Sequence, residues 1–517
     1  MPKTRTELTA KLAALEARVL AGDEKAIARQ HAEHKLTARE RLALLLDPDS
    51  FVEEFMLAET QVTEFGMAER RQPTDGVVTG YGTIDGRLVF VYAQDRTVLA
   101  GAVGSTHGEK IAYVIETAQK VGAPVIGLLD SVGARIQEGL DVTRAIGKIF
   151  YANTMASGAV PQISAIMGPC IGVGAYSPAL TDFILMVRGT SQMFITGPPV
   201  VKEVLGEDVS MEELGGAKVH AEQSGVADLV AEDDAACLAL IRKLLSFLPS
   251  NYRERPPRVA SNDPPDRLVE ELETLVPEDL RKPYDMVRVI RALVDDGDFL
   301  ELKPRWARNM VIGFGRLGGE TVGFVANQPN WLGGAIDIDA ADKAARFIRF
   351  CDAFNIPLVT LVDVPGFFPG TKQERGGIIR HGAKLLYAYA AATVPKITVY
   401  LRKGYGGAKQ AMCTREMGAD QVFVWPGVEL AVMGAAAAVN VLYRREIEQA
   451  ADPEAVRQRR IEEFSERFSG PFDALSKSFA QAALRPAETR RRLIQSLRML
   501  ANKTEQRPPK KHGVMPV

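Results

Sequence analysis

Two short apolar runs, each closing on an acidic residue, recur along the chain: APVIGLLD ends at Asp130 and IPLVTLVD at Asp363. Runs of this length without polar alternation predict strands buried on both faces of a parallel sheet. The surrounding pattern repeats as well. VTGYGTIDGRLVFVYAQDRTVLAGAVG starts at Val78 and VIGFGRLGGETVGFVANQPNWLGGAID at Val311, 233 positions later. That offset also pairs Gly80 with Gly313, Gly82 with Gly315, Pro124 with Pro357 and Gly133 with Gly366. Further on, AVPQISAIMGPCIGVGAYS matches TVPKITVYLRKGYGGAKQA with Pro161 opposite Pro395, an offset of 234. Each half reads as two strands, a helix, an apolar strand, a glycine turn, a helix and another apolar strand. Two α/β domains related by internal duplication follow.

The ends and the middle read differently. Leu8, Leu12, Leu15 and Val19 stand at helical spacing among charges, and HKLTARERLALLLDPDSF continues as a second amphipathic run, predicting helices within 1–46. Residues 248–266, LPSNYRERPPRVASNDPPD, concentrate proline and small polar residues as an inter-domain linker does. The expected organisation is a domain over 1–255, a linker over 256–266 and a domain over 267–517.

Composition narrows the function classes. A chain of 517 residues exceeds what one core serves, and 46% hydrophobic residues, 25% charged residues and a net charge of -2 describe a globular protein without the basic excess of a nucleic-acid binder. Cys170, Cys237, Cys351 and Cys413 are spaced too widely for a zinc site or a secreted disulfide framework, so a reducing cytosol is expected. MPKTRTELTAKLAALEARVL lacks the apolar core of a signal peptide, which gives the same cytoplasmic expectation. No charge occurs from Ile149 to Thr181, but Pro161, Pro169 and Pro178 would break a lipid-exposed helix, so no membrane insertion is expected.

The candidate chemistry lies at the twin glycine turns. LRKGYGGAKQAM follows the apolar VPKITVY and places Gly404, Gly406, Gly407 and Ala408 at a strand end. A turn of this kind serves as a plain turn, a phosphate cradle, or a source of backbone N-H groups aimed at a developing oxyanion. Neither GxxxxGK[ST] nor a strand-linked GxGxxG occurs here, which removes the phosphate reading. No histidine has metal-ligand spacing, so no metal is expected, and His381 in GGIIRHGAKLL reads as a helix-start residue. No GxSxG elbow is present and no cysteine has an activating context, which argues against covalent catalysis.

Read together, GARIQEG, YSPALTDF, ANQP, DIDAADKAARFIRFCDAFNIPLVTLVDVPGFFPGT, GGIIRHGAKLLYAYAAATVPKIT and WPGVELAVMGA resemble the β subunit, the carboxyltransferase, of biotin-dependent acyl-CoA carboxylases, most of all the propionyl-CoA type. The likeness runs from HKLTARERL to the terminal PPKKHGVMPV. It implies two tandem crotonase-like ββα-spiral domains, which fits the duplication, and a homo-oligomer, usually a hexamer, with each active site shared between subunits. It implies acyl-CoA as substrate and carboxybiotin carried on a partner α subunit, whose biotin carboxylase uses ATP and bicarbonate; this chain has no AMKM-type biotin attachment motif and no ATP-grasp signature.

By the same resemblance two oxyanion holes serve the thioester carbonyl and the biotin ureido oxygen. They fall on Gly407 and Ala408, and on Val173 and Gly174. Gly133, Ala134 and Arg135, with Gly366 and Phe367, fall at cofactor-binding positions, and Gln410 and Tyr176 at the substrate pocket. Three departures stand out: Val132 replaces a glycine of GGAR, Val173 replaces a glycine of the first hole, and GGAKQ replaces GGAYD. Two other readings are the carboxyltransferase of a biotin-dependent decarboxylase, whose partners include a membrane pump, and a silent CoA-binding paralogue.

Overall fold

The computed structural model describes residues 4–468 and 470–517 and divides into two compact units, Met1–Glu254 and Arg255–Val517. In the first, β1 (Val52–Glu54), β2 (Val77–Ile84) and β3 (Arg87–Gln94) are antiparallel, and β4 (Val125–Ser131), β5 (Gln162–Ile171), β6 (Phe183–Val187) and β8 (Leu229–Ala231) extend the sheet in parallel, in the order β1-β2-β3-β4-β5-β6-β8. The short β7 (Gln192–Phe194) pairs with the tail of β5.

The second unit repeats this order. From β9 (Phe299–Leu302) through β10 (Met310–Leu317), β11 (Glu320–Asn327), β12 (Leu358–Val364), β13 (Lys396–Tyr405) and β14 (Gln421–Val424) to β16 (Ala482–Ala483) the same path is traced, and β15 (Glu429–Ala431) pairs with the tail of β13. Every residue of β4 and of β12 is buried, as the unbroken apolar runs require when helices cover both faces. The duplication extends to register: Gly80 faces Val91, and Gly313, 233 positions on, faces Phe324.

Buried charges repeat too. Lys110 and Lys343, at the same offset, lie in the helices Ser105–Val121 and Ile338–Ala353 and reach back to the segments that lead into β2 and β10. Lys110 Nζ donates to the carbonyls of Thr74 (2.9 Å) and Val77 (2.6 Å); Lys343 Nζ donates to those of Lys303 (2.9 Å), Trp306 (2.9 Å) and Ala307 (3.3 Å). Burial lowers the pKa of Lys110 to about 8 and that of Lys343 to about 7. Hydrogen-bonded in this way, each ammonium fastens a loop to the helix above it.

Two segments outside the sheets show how they are held. Residues 256–266, read as a linker, run along the second unit: Val259 N donates to Gly319 O (3.0 Å), and the Asp263 carboxylate joins Arg267 (2.6 Å) and Arg490 (3.4 Å). Proline content marks a segment without regular structure, which these contacts nevertheless hold. The helix Arg5–Ala21 forms as its spacing predicts, opened by a Thr4/Glu7 capping box, yet none of its residues is buried. Among the described residues no helix is long and apolar enough to cross a membrane.

Candidate active site

The site begins at the carboxyl ends of β4 and β12. Asp130 and Asp363 are fully buried there, and beside each of them the neighbouring strand bulges. Leu129 pairs with Ile166 but Ser131 with Cys170; Val362 pairs with Tyr400 but Val364 with Gly404. Two extra residues of β5 and of β13 are thus accommodated opposite each carboxylate, bending the strand tail toward β7 or β15. Each tail ends in one of the twin glycine turns.

The carboxylates are neutralised by different means. Asp363 accepts from Arg402 Nε (2.8 Å), and Arg402 also donates to the carbonyls of Asp279 and Lys282 (both 2.9 Å). The position matching Arg402 in the first unit is Gly168, where a Cβ would lie 1.9 Å from Asp130 Oδ1. Asp130 instead accepts from Gln30 (2.9 Å), Arg41 (3.2 Å) and Lys35 (3.4 Å), supplied by the N-terminal segment. A buried carboxylate without such partners would carry a large desolvation penalty.

The turns themselves are alike. After β5 come Gly172–Ala175 and the short helix Tyr176–Ala179; after β13 comes the helix Gly406–Ala411. Gly172 at φ +67° and Gly406 at φ +58° both take the left-handed conformation that reverses the chain without a side-chain penalty. The next two residues are Val173 and Gly174 in one turn, Gly407 and Ala408 in the other. A first-turn N-H of a helix lacks an intrahelical acceptor. A Cβ built at Gly174 or at Gly407 would meet no atom within 4 Å, so no other part of the chain crowds the side-chain face of either turn. The side chain of Val173 lies outside the described parts of the structure.

A carboxyl transferase domain profile matches residues 29–515. The chain belongs to the carboxyl transferase domain family. It is 53% identical over 496 residues to the methylmalonyl-CoA decarboxylase subunit alpha of Veillonella parvula and, over the same length, 53% identical to the propionyl-CoA carboxylase carboxyltransferase subunit of Haloferax mediterranei, with 96% of both chains covered in each case. It superposes on the crystal structure of transcarboxylase 12S with methylmalonyl-coenzyme A and methylmalonic acid bound at a TM-score of 0.97, with 50% identity over 100% of this chain and 99% of that one. The two-domain crotonase-like fold expected from the duplication is therefore the fold of this carboxyltransferase.

Within it, the predicted cofactor positions form a second pair of matching loops. Val103 N donates to Gly133 O (2.9 Å) and Arg135 N to Val103 O (2.8 Å); Ile336 N donates to Gly366 O (3.1 Å) and Phe368 N to Ile336 O (2.8 Å). Gly133 backs onto the first turn, since a Cβ there would lie 2.9 Å from Ile171 O. Ala134 and Phe367 are half-buried, and Phe367 packs its ring over Gly382. The Arg135 side chain points inward: its guanidinium bonds Asp75 (2.7 Å), Glu138 (2.8 Å) and Ala102 O (2.8 Å) and is 4% exposed. It holds the loop in place and cannot also reach a ligand from there.

The pocket candidates are both near the turns but differ in freedom. Tyr176 is 45% exposed, with its ring edge-on to Phe150 at 6.2 Å. Gln410 is half-buried, and its Oε1 accepts from Thr414 Oγ1 (2.6 Å), which leaves the amide NH2 as its free donor.

Among the described residues no reactive side chain stands at either turn. Burial and Asp130 push the Cys170 thiol up to about 12. Burial and the hydrogen bond to Glu429 hold the Tyr405 phenol well above its ordinary range, and burial lowers Lys409, whose ammonium sits 5.3 Å over the Phe479 ring. Sequence reading misses the Tyr405 hydroxyl donating to Glu429 Oε2 (2.5 Å), which ties the last residue of β13 to the first of β15. Its one sequence signal is the likeness of WPGVELAVMGA to the family, which assigns Glu429 no role.

Proposed function

We propose that this carboxyltransferase is the β component of a biotin-dependent acyl-CoA carboxylase, moving the carboxyl group from carboxybiotin on a partner chain to the α-carbon of a short-chain acyl-CoA, with propionyl-CoA favoured. One observation carries the reading: two equivalent turns each present backbone N-H groups, one turn per negative oxygen that this transfer develops. Gly407 and Ala408 serve one oxygen, Val173 and Gly174 the other. Such preorganised donors are the largest single contribution in many enzymes that stabilise oxyanions. The α-proton needs no protein base, because the carrier's ring nitrogen becomes basic once its carboxyl group has left. The high thiol and phenol pKa values at the turns agree with that division of labour. Gly133, Ala134, Gly366 and Phe367 hold the loops against which the carrier and coenzyme lie, with Arg135 fixing the first of them.

A hexamer is proposed for the assembly, on the likeness to transcarboxylase 12S, whose structure is described as a hexamer assembly. The likeness to the Veillonella decarboxylase subunit supports a second reading in which the transfer runs from a carboxylated acyl-CoA to biotin. The chain purified with its biotin-bearing partners separates the two. ATP-dependent incorporation of labelled bicarbonate into acetyl-, propionyl- or butyryl-CoA supports the carboxylase; decarboxylation of methylmalonyl-CoA by a complex with a membrane subunit replaces it.

Gln410 is proposed to line the acyl pocket. Replacing it with Asp or Ile should re-rank acetyl-, propionyl- and butyryl-CoA rather than abolish turnover, since one methylene in a pocket is worth about 1–3 kcal/mol. The ratios of kcat/KM are the measurement. If both variants keep the parent's order within about twofold, Gln410 lies off the acyl path.

A further inference from the structure

The second glycine turn has a fastening that the first lacks. The tail of β13 pairs in parallel with β15, Lys403 opposite Glu429 and Tyr405 opposite Ala431; the tail of β5 pairs likewise with β7, Pro169 opposite Gln192 and Ile171 opposite Phe194. Lys403 and Tyr405 stand 234 positions after Pro169 and Ile171, so register equates Tyr405 with Ile171 and Glu429 with Gln192. The Tyr405 hydroxyl donates to Glu429 Oε2 (2.5 Å). Ile171 has no hydroxyl, so the first turn has no such bond to make.

The surroundings of the two turns are otherwise alike. A Cβ at Gly406 would come 3.2 Å from Val432 O, and one at Gly172 3.7 Å from Ile195 O, so each turn lies along the backbone that leaves its short partner strand. Tyr405 is the N-cap of the helix Gly406–Ala411, with φ -112° and ψ 145°, immediately before the left-handed Gly406. Strand pairing ends at Tyr405, which makes its side chain the last group before the turn that can be tied to a neighbouring strand. A Cβ at Gly434 would lie 3.4 Å from Tyr405 Cε2, so that glycine leaves room for the ring. Among the described residues the phenol is the one hydrogen-bond partner of the Glu429 side chain, and no cation pairs with it. A phenol donating to a carboxylate forms a charge-assisted bond, stronger than one between neutral groups.

We infer that Tyr405 and Glu429 are positioning residues for the N-H groups of Gly407 and Ala408: given the oxyanion role proposed for this turn, on which the assignment rests, their bond fixes the start of the helix from which those groups point. The first turn works without a counterpart. Donors of this kind must be held within about 0.5 Å and 10–20° of the productive geometry, and a misplacement of about 1 Å costs up to about a hundredfold in rate. They act on charge that develops in the transition state, so loosening them lowers kcat and spares KM.

Three variants of the full-length chain, assayed with its biotin-bearing partners on the best of acetyl-, propionyl- and butyryl-CoA, test the assignment. Tyr405→Phe keeps the ring and deletes the donor, Glu429→Ala deletes the acceptor, and Glu429→Gln keeps an acceptor oxygen. The first two are expected to lower kcat at least about tenfold with KM for the acyl-CoA within about twofold, and their combination to fall no further than about twofold below either. Glu429→Gln should return to within about threefold of the parent. Hydrogen exchange over 406–412, where Met412 N donates to Ala408 O (3.1 Å), should quicken at least about threefold in Tyr405→Phe at an unaltered urea midpoint. Gln192→Ala, at the matching place of the first unit, is the control and should stay within about twofold of the parent in kcat. Parental kcat in Tyr405→Phe and Glu429→Ala, with Ala408→Pro disabled, overturns the tie and leaves the oxyanion role of the turn standing; parental turnover in Ala408→Pro overturns both. Additive losses, a lowered urea midpoint with kcat intact, or an equal loss in Gln192→Ala assign the pair to stability and overturn its positioning role.

Discussion

Ala408→Pro is expected to lower kcat by roughly a hundredfold or more, because the loss of one oxyanion donor costs about 3–4 kcal/mol of transition-state stabilisation. Ala408 is the third residue of the helix Gly406–Ala411, so proline there falls within the first turn and removes an N-H that no carbonyl of the helix accepts. The residue is fully buried, and the ring must find space that the methyl group does not occupy. Ala408→Gly provides the control, since it keeps the donor and empties the same space. The reading requires coenzyme A affinity and oligomer size to persist in the proline variant. If the folded proline variant turns over at the parent's rate, the Gly407–Ala408 turn is not an oxyanion hole.

Asp363→Ala is expected to lower stability by about 3–5 kcal/mol, the range found when one partner of a buried ion pair is removed. Arg402 would remain 3% exposed with only backbone carbonyls and the Tyr284 ring, 4.6 Å from its guanidinium, as company. The urea midpoint of the full assembly is the measurement, compared with Asp363→Ala combined with Arg402→Met. The double variant should recover part of the loss, because the stranded charge is gone. A single variant within about 1 kcal/mol of the parent would show that the pair is solvated and that the bulge of β13 stands without it.

The fold is largely legible in the sequence because its signals are periodic. Buried parallel strands leave unbroken apolar runs, and a duplicated domain writes them twice, so Asp130 and Asp363 stand out from the residue pattern alone. What such patterns cannot show is which partner a buried group will meet. Arg135 lies in a family motif and reads as a ligand contact, yet two carboxylates, Asp75 distant in sequence and Glu138 nearby, turn it inward. Lys110 and Lys343 keep the same 233-residue offset as the glycines but carry no comparable signal, because a lysine within a helix reads as a solvated residue. The turns are legible as glycine clusters; the bulges that aim them are not, since pairing register belongs to two strands at once.

The unequal neutralisation of the two aspartates also sets a timetable. Asp363 and Arg402 are 39 residues apart, so the second unit can close its buried pair once a short stretch of chain is available. Asp130 depends on Arg41, 89 residues upstream, and Arg41 is itself held by Asp234, 193 residues from it. Loops of that length close more slowly, and contacts of long sequence separation form late. During synthesis the helix bearing Arg41 therefore leaves the ribosome long before its partners exist, and the first unit stays open to proteases and chaperones until nearly all of it has been made.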